Sequence, residues 1–357
     1  MSGLRTSLYQ KHVDLKSKIV DFAGWDMPVQ YTSVKEEVLA VRQGAGVFDV
    51  SHMGEFFVEG PEAEIFVDHL VTNNIIEAPI GKAIYSPLCR ENGTVIDDLI
   101  VYKLAPARIL ICVNASNIDK DFNWMKSQVK NFNVKLTNQS ADYSLLALQG
   151  PKSESILKSI IKSLPELEYY SVAPSQWQDQ SYILARTGYT GEDGYEIFGN
   201  HQMISKLWDE LMKQGVTPCG LAARDVLRLE VGYPLYGHEL NDEITPLDAA
   251  LAWTVKLNKK TFIGLEALKD YKPRFKTVKF ILEKGIPREG YPVLNEAGEE
   301  IGVVTSGTMS VVLNKGVAMA RVKLDKFNSQ QNFFIGIRQN TYTATYTTKA
   351  FVQGGHK

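Results

Sequence analysis

Residues 83–104 decide the fold: Ala83-Ile-Tyr-Ser-Pro-Leu-Cys89, then Arg90-Glu-Asn-Gly93, then Thr94-Val-Ile-Asp-Asp-Leu-Ile-Val-Tyr-Lys-Leu104. Asn-Gly between two apolar runs is a strong hairpin signal. The second run interrupts a strand pattern with the pair Asp97-Asp98. Aspartate is depleted from strands, and a buried carboxylate is costly unless it is paired or hydrogen-bonded. Side chains alternate along a strand, so Asp98 shares a face with Ile96, Ile100 and Tyr102, and Asp97 with Val95, Leu99 and Val101. Both faces are apolar. At least one of the two acids sits where stability alone would not place it, and the strand is the first place to look for chemistry.

Outward from the hairpin the chain reads as mixed α and β. Residues 33–44 predict a helix with Ser33 as N-cap, Glu36 three residues on and Gly44 as the stop. Phe56 to Val58 is a strand, and Pro61 to Leu70 a short helix starting on proline. Arg108 to Asn114 is a strand, followed by a helix capped by Ser116 or Asn117 and running through Val129. In the second half, residues 151–163, His201 to Gln214 and Leu221 to Val231 read as helices, the last ending at Gly232. Tyr182 to Thr187 and Tyr195 to Phe198 read as strands around a glycine-rich turn. The two α+β halves are compatible with a divergent duplication, although no clean sequence repeat exists. Composition changes near Asp270 to Lys276. Residues 277–352, with short strands, turn signals and many Thr and Val, predict a small β-barrel or sandwich.

The chain has 357 residues, 44% of them hydrophobic and 22% charged, a soluble globular composition large enough for two or three domains. A formal net charge of −2 provides no global field for nucleic acid or an anionic membrane. Cys89, Cys112 and Cys219 are odd in number and widely spaced, which supports neither a disulfide framework nor a zinc site. Neither a signal peptide nor a membrane-spanning run is visible, so a cytoplasmic protein is expected.

Four further segments invite a functional reading. Phe22 to Tyr31 carries aromatics that either pack the core or wall a flat ligand. Asp49-Val-Ser-His-Met-Gly-Glu55 places one histidine in a small-residue turn. A metal there would need partners, His69 is the only close candidate, and the polar groups more readily hold the turn. Arg186 to Phe198 is glycine-rich but lacks the Gly-Lys-Ser/Thr ending of a phosphate loop, and Glu192 and Asp193 would repel phosphate. Asp193-Gly194 favours a hairpin instead, which puts Glu196 on the returning strand beside aromatics, where it suits a heterocycle with two adjacent N–H donors. Arg224 and Arg228, four apart on one helix with Asp225 between, form either an exposed charged face or a guanidinium site for a ligand carboxylate or carbonyl.

Taken together, these segments resemble the aminomethyltransferase of the glycine cleavage system, the T-protein family. The stretches are FAGWDMPVQYTSVKEEVLAVR, DVSHMGE, IDDLIVY, VNASN, RTGYTGEDGYEIF, GLAARDVLRLEVGYPLYG, PLDAALAWTVKL, FIGLEAL and VTSGTMS. They follow family order over nearly the whole chain. The resemblance implies an α+β fold of three lobes: two intertwined α+β lobes sharing a folate-binding cleft (residues 1–275) and a C-terminal β-barrel (276–357). It implies an enzyme that takes a one-carbon unit from the aminomethylated lipoyl arm of a partner H-protein. The unit passes to the co-substrate tetrahydrofolate, giving 5,10-methylenetetrahydrofolate, ammonia and dihydrolipoyl-protein, with no metal, nucleic acid or membrane involved.

By the same resemblance Asp98 is the catalytic acid, Tyr85 contacts folate, Glu196 binds the pterin and Arg228 contacts the ligand. Met53, Asn114, Asn117 and Tyr189 line the cleft, and a tail residue, His356 or Lys357, reaches it. The expected role of Asp98, as carboxylate, is to orient the folate amine and stabilise the developing cation. The chain departs from the family pattern at Leu251-Ala252-Trp253, at Gly264-Leu265-Glu266 and in a tail without proline before Phe351. Folate-dependent demethylases of small methylated amines or thioethers are the enzymatic rival. A non-catalytic folate-binding accessory protein is the other, although Asp98 and the absence of a Lys-Gly-Cys-Tyr core argue against that class.

Overall fold

The structure, a computed structural model, describes residues 3–355. The hairpin that opens the argument lies at one edge of a five-stranded antiparallel sheet. Its order is Ala83–Cys89, Val95–Ala105, Arg108–Val113, Gly54–Glu59 and Lys135–Asn138. Gly93, at φ +83°, occupies the turn, as its missing Cβ permits. A six-stranded sheet runs Val172–Trp177, Gln180–Ala185, Gly194–Asn200, Tyr143–Gln149, Gly46–Asp49 and Thr217–Pro218, with only the last pair parallel.

The two sheets are not successive in the chain. Gly46–Asp49 pairs with Tyr143–Gln149 in the second sheet, whereas Gly54–Glu59, a few residues on, pairs in the first. The connection between them, Val50 to Met53, therefore crosses from lobe to lobe and carries His52 and Met53. A shared apolar core including Phe48, Phe57, Tyr102, Phe198 and Leu227 binds the lobes together.

Local signals account for most helix ends. Ser33 Oγ accepts the Glu36 N–H at 3.2 Å, and Gly44 follows the last turn of Val34–Gln43. Leu221–Val231 ends on Gly232 at φ +79°, the left-handed cap. Three expectations shift. The helix predicted from Pro61 begins at Ala63, and that predicted over 151–163 is confined to Ser153–Ile160. Asn117 stands at the N-cap of the Ile118–Gln128 helix, after a 3-10 turn at Ala115–Asn117, but its side chain makes no capping bond. The Asn117 amide instead turns inward and donates to Asp97 at 2.7 Å, because a buried carboxylate is the stronger acceptor.

Residues 68–78 cover the first sheet largely without regular structure, and two buried lysines hold them. Lys103 Nζ donates to the carbonyls of Ile75, Ile76 and Ala78, and Lys259 Nζ to those of Asp68, Val71 and Asn73. The C-terminal region is a closed six-stranded barrel, from Phe275–Leu282 to Asn340–Thr347, around Phe280, Val304 and Phe333. It seats on the Leu221–Val231 helix. Ser310 Oγ donates to Glu230 Oε1 at 2.7 Å, and the Val352 N–H, beyond the barrel, donates to the Glu230 carbonyl at 2.8 Å. No helix among the described residues is long and apolar enough to cross a membrane.

Candidate active site

A cavity of about 950 Å³ lies where both lobes and the barrel meet. Asp98 stands in its wall. The register pairs Pro87 with Asp98 and Tyr85 with Ile100, so Tyr85 and Asp98 are diagonal neighbours on one face of the hairpin. The Tyr85 hydroxyl donates to Asp98 Oδ2 at 2.8 Å, and the Asn114 amide to Asp98 Oδ1 at 3.0 Å. Burial, and then the charge of Asp97, push the Asp98 carboxyl up to about 7. Near neutrality it therefore exchanges between acid and carboxylate, which adds a proton relay to the carboxylate role expected from the sequence. Asp97 is fully buried behind it and accepts from the Asn114 N–H and the amides of Asn114 and Asn117 at 2.7–3.0 Å. Asn114 thus holds both acids, and Asn117 supports the site without lining the cavity.

Glu196 rises from the Gly194–Asn200 strand on the opposite lobe. The hydroxyls of Thr187, at 2.6 Å, and Tyr102, at 3.1 Å, both donate to its Oε2. Both bonds fall on one oxygen, which orients the carboxylate in the cavity wall. Met53 reaches the cavity from the inter-lobe connection, and Tyr189 from the glycine-rich turn, its hydroxyl bonded to the Pro234 carbonyl.

The two arginines of the Leu221–Val231 helix divide. Arg228 is 1% exposed and its guanidinium is engaged by Asp225, Glu239, Ser306 and the Tyr233 carbonyl, at 2.8–3.1 Å. It forms part of the cavity wall while tying helix, following loop and barrel together. Arg224, one turn earlier, stacks 4.8 Å over the Tyr189 ring, and its Nη1 has no hydrogen-bond partner among the described residues. The cavity-lining guanidinium with donors to spare is Arg224. Both arginines were visible in the sequence; spacing on one face could not rank them, and the resemblance favoured Arg228.

His52 is buried against the same cavity with its Nδ1 unpartnered among the described residues, and burial pulls it down to about 4, so it is neutral. His69 belongs to the Ala63–Leu70 helix and packs on Phe132, and among the described residues no cluster of His, Cys, Asp and Glu of metal-holding geometry occurs. Trp253 is 60% exposed at the cavity wall and stacks on Tyr85, ring centroids 5.9 Å apart. His356 and Lys357 lie outside the described residues.

This arrangement provides an exchangeable acid, an oriented carboxylate, a guanidinium with a spare donor and aromatic walls around one large pocket, which can hold a flat ligand and exchange a proton with it. Two family models match in succession: the GCVT N-terminal domain over residues 8–259 and the glycine cleavage T-protein C-terminal barrel domain over 276–353. The chain belongs to the glycine cleavage T-protein family. Aminomethyltransferases are its relatives. That of Thermotoga maritima is 49% identical over 326 residues, 89% of each chain, and that of Halothermothrix orenii is 43% identical over 357 residues, 98% of this chain and 99% of the relative. The crystal structure of the glycine cleavage system aminomethyltransferase T from Bartonella henselae superposes with a TM-score of 0.93 at 33% identity, over 99% of both chains. As a T-protein family member the chain is an aminomethyltransferase, an enzyme of the folate-dependent transferase class.

Proposed function

We propose that this T-protein family member transfers the one-carbon unit of an aminomethylated lipoyl arm, presented by an H-protein, to tetrahydrofolate. The products are 5,10-methylenetetrahydrofolate, ammonia and dihydrolipoyl-protein. One observation carries the reading: Asp98, an acid exchangeable near neutral pH, lines the same cavity as Glu196, whose Oε2 is held by two hydroxyls.

In this reading Glu196 accepts the paired N–H donors of the pterin edge. Asp98 faces the folate amine that attacks the aminomethyl carbon. As carboxylate it orients that amine and stabilises the positive charge developing on the carbon. As acid it returns that amine's proton to the departing nitrogen, which leaves as ammonia, while the C–S bond breaks and the lipoyl sulfur takes the proton of the second folate nitrogen. Tyr85 and Asn114 hold the carboxyl in place. Arg224 meets a carboxylate or carbonyl of the ligand, Tyr189, Met53 and Trp253 supply apolar wall, and Arg228 and Asn117 support the frame. The wall keeps water from the activated carbon.

The same reading divides the chain into a folate-binding region, 1–275, and a barrel domain, 276–357, supported by the spans of the two family models. It places the protein in the cytoplasm, to which three buried free cysteines are suited.

The test is direct. Purified protein, tetrahydrofolate and aminomethylated H-protein should yield ammonia and methylenetetrahydrofolate in equal amounts. Ammonia release indifferent to H-protein would overturn the reading in favour of a demethylase-like enzyme. Asp98→Asn should keep folate binding and lose about 10²-fold or more in turnover.

A further inference from the structure

Behind the reacting acid lies a third carboxyl that the mechanism above does not use. Asp121 projects from the Ile118–Gln128 helix, is 0% exposed, and receives no N–H or O–H donor on either oxygen among the described residues. Its carboxyl meets that of Asp97 within hydrogen-bonding reach. Two buried carboxyl groups in contact cannot both be charged unless a cation lies between them. The nearest one is diverted. Lys120, on the same helix, sends its Nζ to the Ile96 carbonyl at 2.6 Å and the Tyr236 hydroxyl at 2.8 Å, with Asp242 at 3.8 Å. From the strands, Asp97 and Asp98 face the cluster, with Tyr85 on Asp98, and from the loop after Val113, Asn114 and Asn117 donate to Asp97. The donors converge on Asp97 and none on Asp121. The proton therefore sits on Asp121.

We infer that Asp121 is a positioning residue: as a neutral acid it donates its hydroxyl to Asp97, fixes the negative charge there, and so sets the ionisation of Asp98. The inference rests on Asp98 being the reacting acid, as read above. It explains how three neighbouring acids coexist in an apolar wall. One keeps the proton, one takes the donors and with them the charge, and the third, at the cavity, exchanges.

The isosteric Asp121→Asn keeps an N–H donor towards Asp97 and should leave the pH profile of turnover in place. Asp121→Ala removes the donor. The charge on Asp97 then loses one of its donors, Asp97 competes with Asp98 for the proton they share, and the Asp98 limb in the profile should move to lower pH by about one unit. A structural role alone would lower turnover without separating the two variants in this way. No shift in Asp121→Ala, an alkaline shift, or the same shift in both variants overturns the inference. Infrared difference spectra of wild type minus Asp121→Asn at pH 8 supply a second readout, needed if the alanine variant fails to fold. A protonated carboxyl stretch must disappear, and its absence from wild type also overturns the inference. That measurement needs no turnover, so it stands apart from the assay with aminomethylated H-protein, on which the functional reading itself depends.

Discussion

The folded chain binds a proton at Asp98 far more tightly than the unfolded chain does, about 7 against an ordinary 3.8, because burial and the Asp97 charge both oppose ionisation. Between those values the folded state holds the extra proton, so this residue's contribution to stability declines as pH rises from about 4 through 7. Above pH 7 the penalty is complete. Asp98→Asn cannot ionise, and its melting temperature should exceed that of wild type by a few degrees at pH 8, with the gap closing by pH 4. Thermal scans at the two pH values check this. A second expectation separates binding from chemistry. Glu196→Gln keeps an acceptor for Thr187 and Tyr102 but offers one carbonyl where a pterin edge needs a carboxylate. Titration of folate binding should show a loss of about 10-fold or more with the melting temperature little changed.

At the scale of elements, the Leu221–Val231 helix joins site and scaffold. Its two arginines predict opposite phenotypes. Arg224→Gln removes a guanidinium with a spare donor, so folate affinity should fall about 10-fold while stability holds. Arg228→Met strands the fully buried Glu239, so urea unfolding should show a loss of about 3–5 kcal/mol. The sequence marked this helix over Leu221–Val231 because Gly232 is a local stop signal. It marked the Ser33 cap and the 83–104 hairpin for the same reason. It could not mark which arginine is free, because that depends on Glu239 and Ser306, brought in from other elements. Asp121 stayed hidden because an acid on an amphipathic helix ordinarily faces water. The Lys259 staple was equally invisible, since its three carbonyl partners come from distant residues. Lys259→Met should leave the barrel intact but open residues 68–78 to limited proteolysis under conditions where wild type resists.

Across the whole molecule, the interleaved lobes and the barrel form one interdependent body around the cavity. The crossing of Val50 to Met53 between sheets escaped sequence reading because strand order is set by pairings far apart in the chain, such as Gly46–Asp49 with Tyr143–Gln149. The barrel was legible as a class of structure from its turns and Thr/Val content, but its closure and seating were not. Glu230 shows what that seating does. Fully buried, it accepts from Arg42, Ser310 and the Val312 N–H, and so joins the Val34–Gln43 helix, the central helix and the barrel. The residues that complete the last turn of that helix are made in the wrong order for convenience. Val352 supplies the N–H for the Glu230 carbonyl, and Phe351 packs beside Leu229, yet both leave the ribosome long after the helix does. The Glu230 carbonyl therefore waits for its partner while more than 100 further residues are synthesised, so the seating of the barrel on this helix is a late event in folding.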